Sequence, residues 1–146
     1  MELTDSKKVL IIDDSKVVRF AHTVIIANAC HIDREMVLTA QDGQEALDVL
    51  EANPDIDLII CDLDMPVMTG PEFFQGMRTQ PGDPVIPFIL STGGNAERQA
   101  EIETLFETHG GNAVFTEKPL TIEKLANAVA SLSPRSFDYG QPVPFM

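Results

Sequence analysis

The sequence predicts a doubly wound α/β domain in which five parallel strands, ordered 2-1-3-4-5, are covered on both sides by five helices. Three observations predict it. Five short apolar runs alternate with segments of helical spacing, the pattern of successive βα units. The runs are apolar at consecutive positions, as strands buried on both faces must be. Finally, acidic, hydroxyl and ammonium side chains gather directly behind these runs, where open parallel sheets place their ligand sites.

The elements follow in order. VLII (9–12) is the first strand, and Val17, Ala21, Val24 and Ile25 mark the apolar stripe of the first helix. MVLTA (36–40) is the second strand. In DGQEALDVL, Asp42 is placed to accept first-turn N–H groups, and Glu45 stands at the capping-box position of the second helix. LIIC (58–61) is the third strand, and Pro71 behind Gly70 suits the first turn of the third helix. FIL (88–90) is the fourth, followed by Asn95 as cap of a helix carrying Ile102, Leu105 and Phe106. AVF (113–115) is the fifth, and Ile122, Leu125, Ala126, Val129 and Leu132 form the stripe of the last helix.

The domain is drawn over residues 1–132. The stretch SPRSFDYGQPVPFM (133–146) is a tail or linker, because Pro134, Pro142 and Pro144 oppose a helix. Phe137, Tyr139, Phe145 and Met146 make it too apolar for a plain spacer, so it reads as a docking arm or a link to an output domain.

The chain has 146 residues, enough for one core, and 44% of them are apolar. Its formal net charge of −13 opposes direct binding to nucleic acid or anionic lipid, which relies on clustered positive charge. No eighteen-residue apolar run and no basic-then-apolar start is present, so the expected location is the cytoplasm, away from membranes. Cys30 and Cys61 read as reduced core residues. His22, His31 and His109 have no metal-like spacing and are placed on surfaces.

The strand ends carry the chemistry. Asp13 and Asp14 follow the first strand, Asp62 and Asp64 the third, Ser91 and Thr92 the fourth, and Thr116, Glu117 and Lys118 the fifth. Three carboxylates in one pocket repel strongly, by about 4 kcal/mol per pair at 4 Å and an effective dielectric of 20. A cation must offset this, and oxygen-only ligands in a shallow, partly hydrated site suit Mg²⁺. Lys118 and the Thr92 hydroxyl would then hold a phosphoryl group, with Asp62 as nucleophile. Each residue also has a plainer reading. Asp13 and Asp14 can be helix caps, Asp62 and Asp64 a solvated turn, Lys118 a surface charge, Thr92 a loop residue and Phe115 core.

Taken jointly, VLIIDDS, CDLDMPVMTG, PFILSTG and VFTEKPL resemble response-regulator receiver domains of two-component signalling, over about residues 7–132. The resemblance implies a flavodoxin-like fold with Asp62 as phosphoacceptor. It implies Mg²⁺ held by Asp13, Asp14, Asp62 and the backbone carbonyl of Asp64, whose side chain tunes dephosphorylation. Thr92 would hydrogen-bond the phosphoryl group, with Ser91 its competitor, Lys118 would pair with it, and the Phe115 rotamer would follow Thr92. The implied partners are a histidine kinase or phosphotransfer protein upstream and a separate protein or covalently linked output domain downstream. Homodimerisation on phosphorylation is a further option. Such a domain is a switch and not an enzyme, reading out through helix 4, strand 5 and helix 5. CDLDMP and CHIDREMV also resemble receivers attached to cyclic-di-GMP phosphodiesterases. A second class, haloacid-dehalogenase-type phosphatases, shares the Asp-x-Asp of IICDLDMP, although there the motif follows the first strand and here the third.

Overall fold

The computed structural model describes residues 7–79, 86–93 and 98–133. The expected cap Asn95 and the tail from residue 134 onward lie outside these residues. In chain order the elements are β1 (Lys8–Ile12), α1 (Lys16–Cys30), a 3-10 turn (Arg34–Met36), β2 (Val37–Ala40), α2 (Gly43–Ala52), β3 (Ile56–Asp62), α3 (Gly70–Arg78), β4 (Phe88–Thr92), α4 (Gln99–Thr108), β5 (Ala113–Glu117) and α5 (Ile122–Ala130). The five strands form one sheet in the order β2-β1-β3-β4-β5, and every pairing is parallel.

Strand alternation sends successive side chains to opposite faces and so splits the core into two layers. Leu10, Ile12, Ile59, Phe88 and Leu90 meet α2, α3 and α4 through Ala46, Phe73, Phe74 and Phe106. Val9, Ile11, Leu58, Ile60 and Ile89 meet α1 and α5 through Ile26, Cys30, Leu125 and Ala128. β3 is buried along its whole length, and its stretch from Leu58 to Cys61 reads as a continuous apolar run. Phe74 packs edge-on against both Phe88 and Phe106, with centroids 4.9 Å apart in each pair. Phe106 continues this contact to Phe115 at 5.9 Å, so the aromatic core reaches the edge strand. Burying a side chain of this size contributes roughly 1.5–3 kcal/mol.

Helix starts follow local chemistry. Ser15 caps α1 by accepting from the Val18 N–H at 3.2 Å. Asp42 caps α2 by accepting from Glu45 N–H at 2.8 Å, but Glu45 reaches back to the Gln41 N–H, one residue before a standard capping box. The full box occurs instead at α3. There Thr69 Oγ1 accepts from Glu72 N–H, Thr69 N–H donates to Glu72 Oε1 at 2.9 Å, and Pro71 sits in the first turn.

Three sequence-based placements are corrected. The buried face of α1 is His22, Ile26 and Cys30, whereas Val17 is 78% exposed and Ala21 is also exposed. The helix is rotated from the expected stripe because a histidine occupies a core-facing position, so His22 is buried and not on the surface. Ile122 opens α5 directly behind its cap Thr121 and is exposed, leaving Leu125 and Ala128 as the buried residues. Cys30 and Cys61 are both buried and free, as expected.

Candidate functional site: an acidic cluster at the carboxyl end of the sheet

Register brings the key residues together. Ile12 of β1 and Leu90 of β4 both pair with Cys61 of β3, so Asp13, Asp62 and Ser91 stand level at the carboxyl ends of three adjacent strands. Thr92 pairs with Glu117, and the Lys118 N–H donates to the Thr92 carbonyl at 2.7 Å. The ladder therefore delivers Lys118 beside the acids. A cis peptide joins Lys118 to Pro119.

Asp13, Asp14 and Asp62 each offer an oxygen within 4.8 Å of the others; Asp13 and Asp62 are buried and Asp14 is exposed. The Lys118 ammonium bridges the buried pair, 2.8 Å from Asp13 Oδ2 and 2.9 Å from Asp62 Oδ1. Burial pushes the Asp62 carboxyl above the usual carboxylate range, and the charges of Asp13 and Asp14 add to this against the opposing pull of Lys118. Burial alone would lower the Lys118 ammonium, but its bonds to Asp13 and Asp62 outweigh that and raise it. The first-helix capping role falls to Ser15, whose N–H donates to Asp13 Oδ1 at 2.9 Å. An all-oxygen donor set with one open, exposed member fits a hydrated Mg²⁺.

Thr92 and Ser91 are both buried at the end of β4. The Ser91 hydroxyl is buried without a hydrogen-bond partner among the described residues. Asp64 is exposed in the loop after β3, and its carboxylate is not part of the close group. Phe115 is half-buried on β5, against Phe106. Two contributors escaped the sequence reading. Arg19 Nη1 donates to the Asp13 carbonyl at 2.7 Å, and no side-chain pattern signals a main-chain acceptor. Gly70 packs so closely that a Cβ would collide with the Asp62 carbonyl oxygen and come within 2.6 Å of Leu90 Cδ1. The signal for it was present, since Gly70 lies in the same CDLDMPVMTG stretch as Asp62.

A family model described as the response regulator receiver domain matches residues 9–130. The chain belongs to this family. Among curated relatives of this receiver domain, the probable chemotaxis protein CheY of Rhizobium etli is 31% identical over 137 residues, covering 90% of this chain and 96% of that protein. Two-component response regulator 24 of Arabidopsis thaliana is 31% identical over 132 residues, covering 90% of this chain and 88% of that protein. The solved structure of Vibrio cholerae chemotaxis protein CheY4 superposes with a TM-score of 0.72 at 29% identity, covering 87% of this chain and 98% of that chain. The receiver identity, the strand order and the five helices thus agree with the sequence expectation. Among the described residues, no helix is long and apolar enough to cross a membrane.

Proposed function

We propose that this receiver domain accepts a phosphoryl group on Asp62 from a histidine kinase or a histidine phosphotransfer protein and acts as a switch, without multiple-turnover catalysis. The observation that carries the reading is the buried Asp62 carboxylate held 2.9 Å from Lys118 within the Asp13, Asp14 and Asp62 cluster. An Asp62 oxygen attacks phosphorus, the donor's N–P bond breaks, and the imidazole nitrogen takes the bonding pair.

Asp13, Asp14, Asp62 and the Asp64 carbonyl would hold Mg²⁺, which when bound supplies charge neutralisation for the transferring group. Lys118 is already oriented toward both buried carboxylates and offers its ammonium to a phosphoryl oxygen. The Thr92 hydroxyl donates to another, and Phe115 follows its movement. Partner affinity then changes on the face of α4, β5 and α5 as a population shift between two states. A separate downstream protein or a linked output domain reads that face, dimerisation of this chain being one form of readout.

Beryllofluoride with Mg²⁺ tests the reading. Amides around Thr92 and Phe115 are expected to shift, and phosphotransfer from a kinase is expected to label wild type but not Asp62→Asn. Retained labelling of Asp62→Asn overturns the assignment. Comparing Ser91→Ala with Thr92→Ala decides which hydroxyl serves, because only the serving one should weaken beryllofluoride binding.

A further inference from the structure

Helix α1 carries two apolar faces. One is the buried row of His22, Ile26 and Cys30, which meets the sheet through Ile26 and Cys30. The other is the stripe of Val17, Phe20, Ala21 and Val24 on the far side of the helix. There Val17 is 78% and Phe20 62% exposed, Ala21 is exposed and Val24 is half-buried. The Arg34 guanidinium borders this stripe, 5.8 Å from the Phe20 ring centroid. By contrast, α2 turns Gln44, Glu45, Asp48 and Glu51 outward. An apolar stripe on the solvent side of a helix marks contact with another molecule.

Charge points to what that molecule is. At a net charge of −13 two copies of the chain repel, and they approach best where acids are missing. Of the five helices described, α1 is the one without an Asp or Glu. Its first residue is the exposed Lys16, and the turn beyond its far end holds the exposed Asp33 and Glu35. Two α1 helices laid antiparallel therefore bring Lys16 of each copy toward Asp33 and Glu35 of the other.

The stripe also fits its own copy. Val17 with Ala21, and Phe20 with Val24, are i, i+4 pairs, so the stripe consists of two short ridges with the small Ala21 beside the large Phe20. Around a two-fold axis between Phe20 and Ala21, each Phe20 ring falls on Ala21 of the other copy, and Val17 meets Val24. Ridges of this kind interdigitate at about −50°, which confines contact to the roughly 10 Å from Val17 to Val24.

We propose that α1 is the interface of a weak homodimer in which two copies cross antiparallel, with Phe20 of each seated on Ala21 of the other. A single crossing of this length is smaller than a standard-size interface, so the pair forms and parts with protein concentration. Val17 lies in the first turn behind Asp13, so a phosphodonor approaching Asp62 across α1 has to part the pair. Pairing itself does not require phosphorylation; only that consequence rests on the function proposed above.

The test uses the full, unphosphorylated chain, so its failure leaves the Asp62 assignment untouched. In sedimentation equilibrium at rising protein concentration, wild type is expected to move from the mass of one chain toward that of two, and Phe20→Glu to stay at one. Phe20 and Ala21 are both exposed, so changing them does not open the core. Ala21→Cys places a thiol beside the two-fold axis, the two native thiols being buried. With an added oxidant it is expected to form a disulfide-linked dimer several-fold faster than Asp48→Cys on α2, and adding Phe20→Glu removes that advantage. Wild type that stays at the mass of one chain throughout overturns the proposal and assigns the stripe to a different protein. Equal linking by Ala21→Cys and Asp48→Cys, or self-association that Phe20→Glu leaves intact, also overturns it, by placing the pairing on another face.

Discussion

Neutralising Asp62 should leave the metal-free domain at least as stable at neutral pH, although it removes an ion pair. At 2.9 Å from Lys118, the attraction is about 6 kcal/mol at an effective dielectric of 20. Repulsion from Asp13, within 4.8 Å, returns about 3.5 kcal/mol on the same scale, and desolvating a buried carboxylate costs several kcal/mol more. The upward shift of the Asp62 carboxyl, caused first by burial, shows that the unfavourable side wins. The sign follows from linkage. A carboxyl with a raised folded-state pKa contributes fully below the unfolded value of about 3.9 and loses that contribution as pH rises through the folded value. Wild type at neutral pH therefore carries a burden that Asp62→Asn lacks. Thermal unfolding in EDTA should show Asp62→Asn melting at or above wild type, by up to about 4 °C for each kcal/mol relieved in a chain of this size. Mg²⁺ should raise the melting temperature of wild type and have little effect on the variant. A variant that melts several degrees below wild type in EDTA at pH 7 would refute the electrostatic reasoning.

Lys118→Met should cost about 3 kcal/mol at neutral pH, toward the low end for breaking a buried pair because the lysine side chain is 24% exposed. Saturating Mg²⁺ should recover part of that loss in urea unfolding. His22 is buried, and burial lowers its imidazole, with Asp13 opposing and Lys118 adding. Its contribution is therefore complete above the unfolded value of about 6.5 and is lost as pH falls through the lower folded value. His22→Leu should remove up to about 1.4 kcal/mol per pH unit of slope in that acidic window, measurable by urea titrations at pH 5 to 7. Gly70→Ala should destabilise by roughly 1–3 kcal/mol and weaken beryllofluoride binding, because relieving the clash shifts the Asp62 main chain.

The strands were legible because burial on both faces forces consecutive apolar residues, as in Leu58, Ile59 and Ile60. β3 nevertheless begins earlier than its apolar run, at Ile56, because Asp57 enters the strand by accepting the Lys8 N–H at 3.0 Å and pairing with Lys7. A charged residue inside a strand breaks the hydropathy signal even when its partners, the Lys7 ammonium and the Lys8 N–H, stand ready at the start of the neighbouring strand. The site was legible for a different reason. Parallel topology carries every strand to one end, so Asp13, Asp14, Asp62 and Lys118 could be grouped before any distance was known. The phase of α1 was not legible, since His22 holds a core position that a hydropathy count gives to Val17 or Ala21. The box of α3 was missed: Thr69 and Glu72 have the T-x-x-E spacing and pair as it requires, yet only Gly70 and Pro71 were expected at this helix start.

Arg78 closes the opposite end of the molecule. Its guanidinium lies 4.8 Å from the Phe74 ring centroid and donates to the carbonyls of Ile86 at 2.7 Å and Gly111 at 3.2 Å, just ahead of β4 and β5. Lys8 performs the same service for β1, donating from Nζ to Asn53 and Asp55. The amino ends of these strands are thus stitched to their neighbouring helices and loops by charge. Were Asp62 to take up a phosphoryl group as proposed, these anchored strand starts, at the far end of the sheet from the acidic cluster, would be the part of the sheet with least freedom to move.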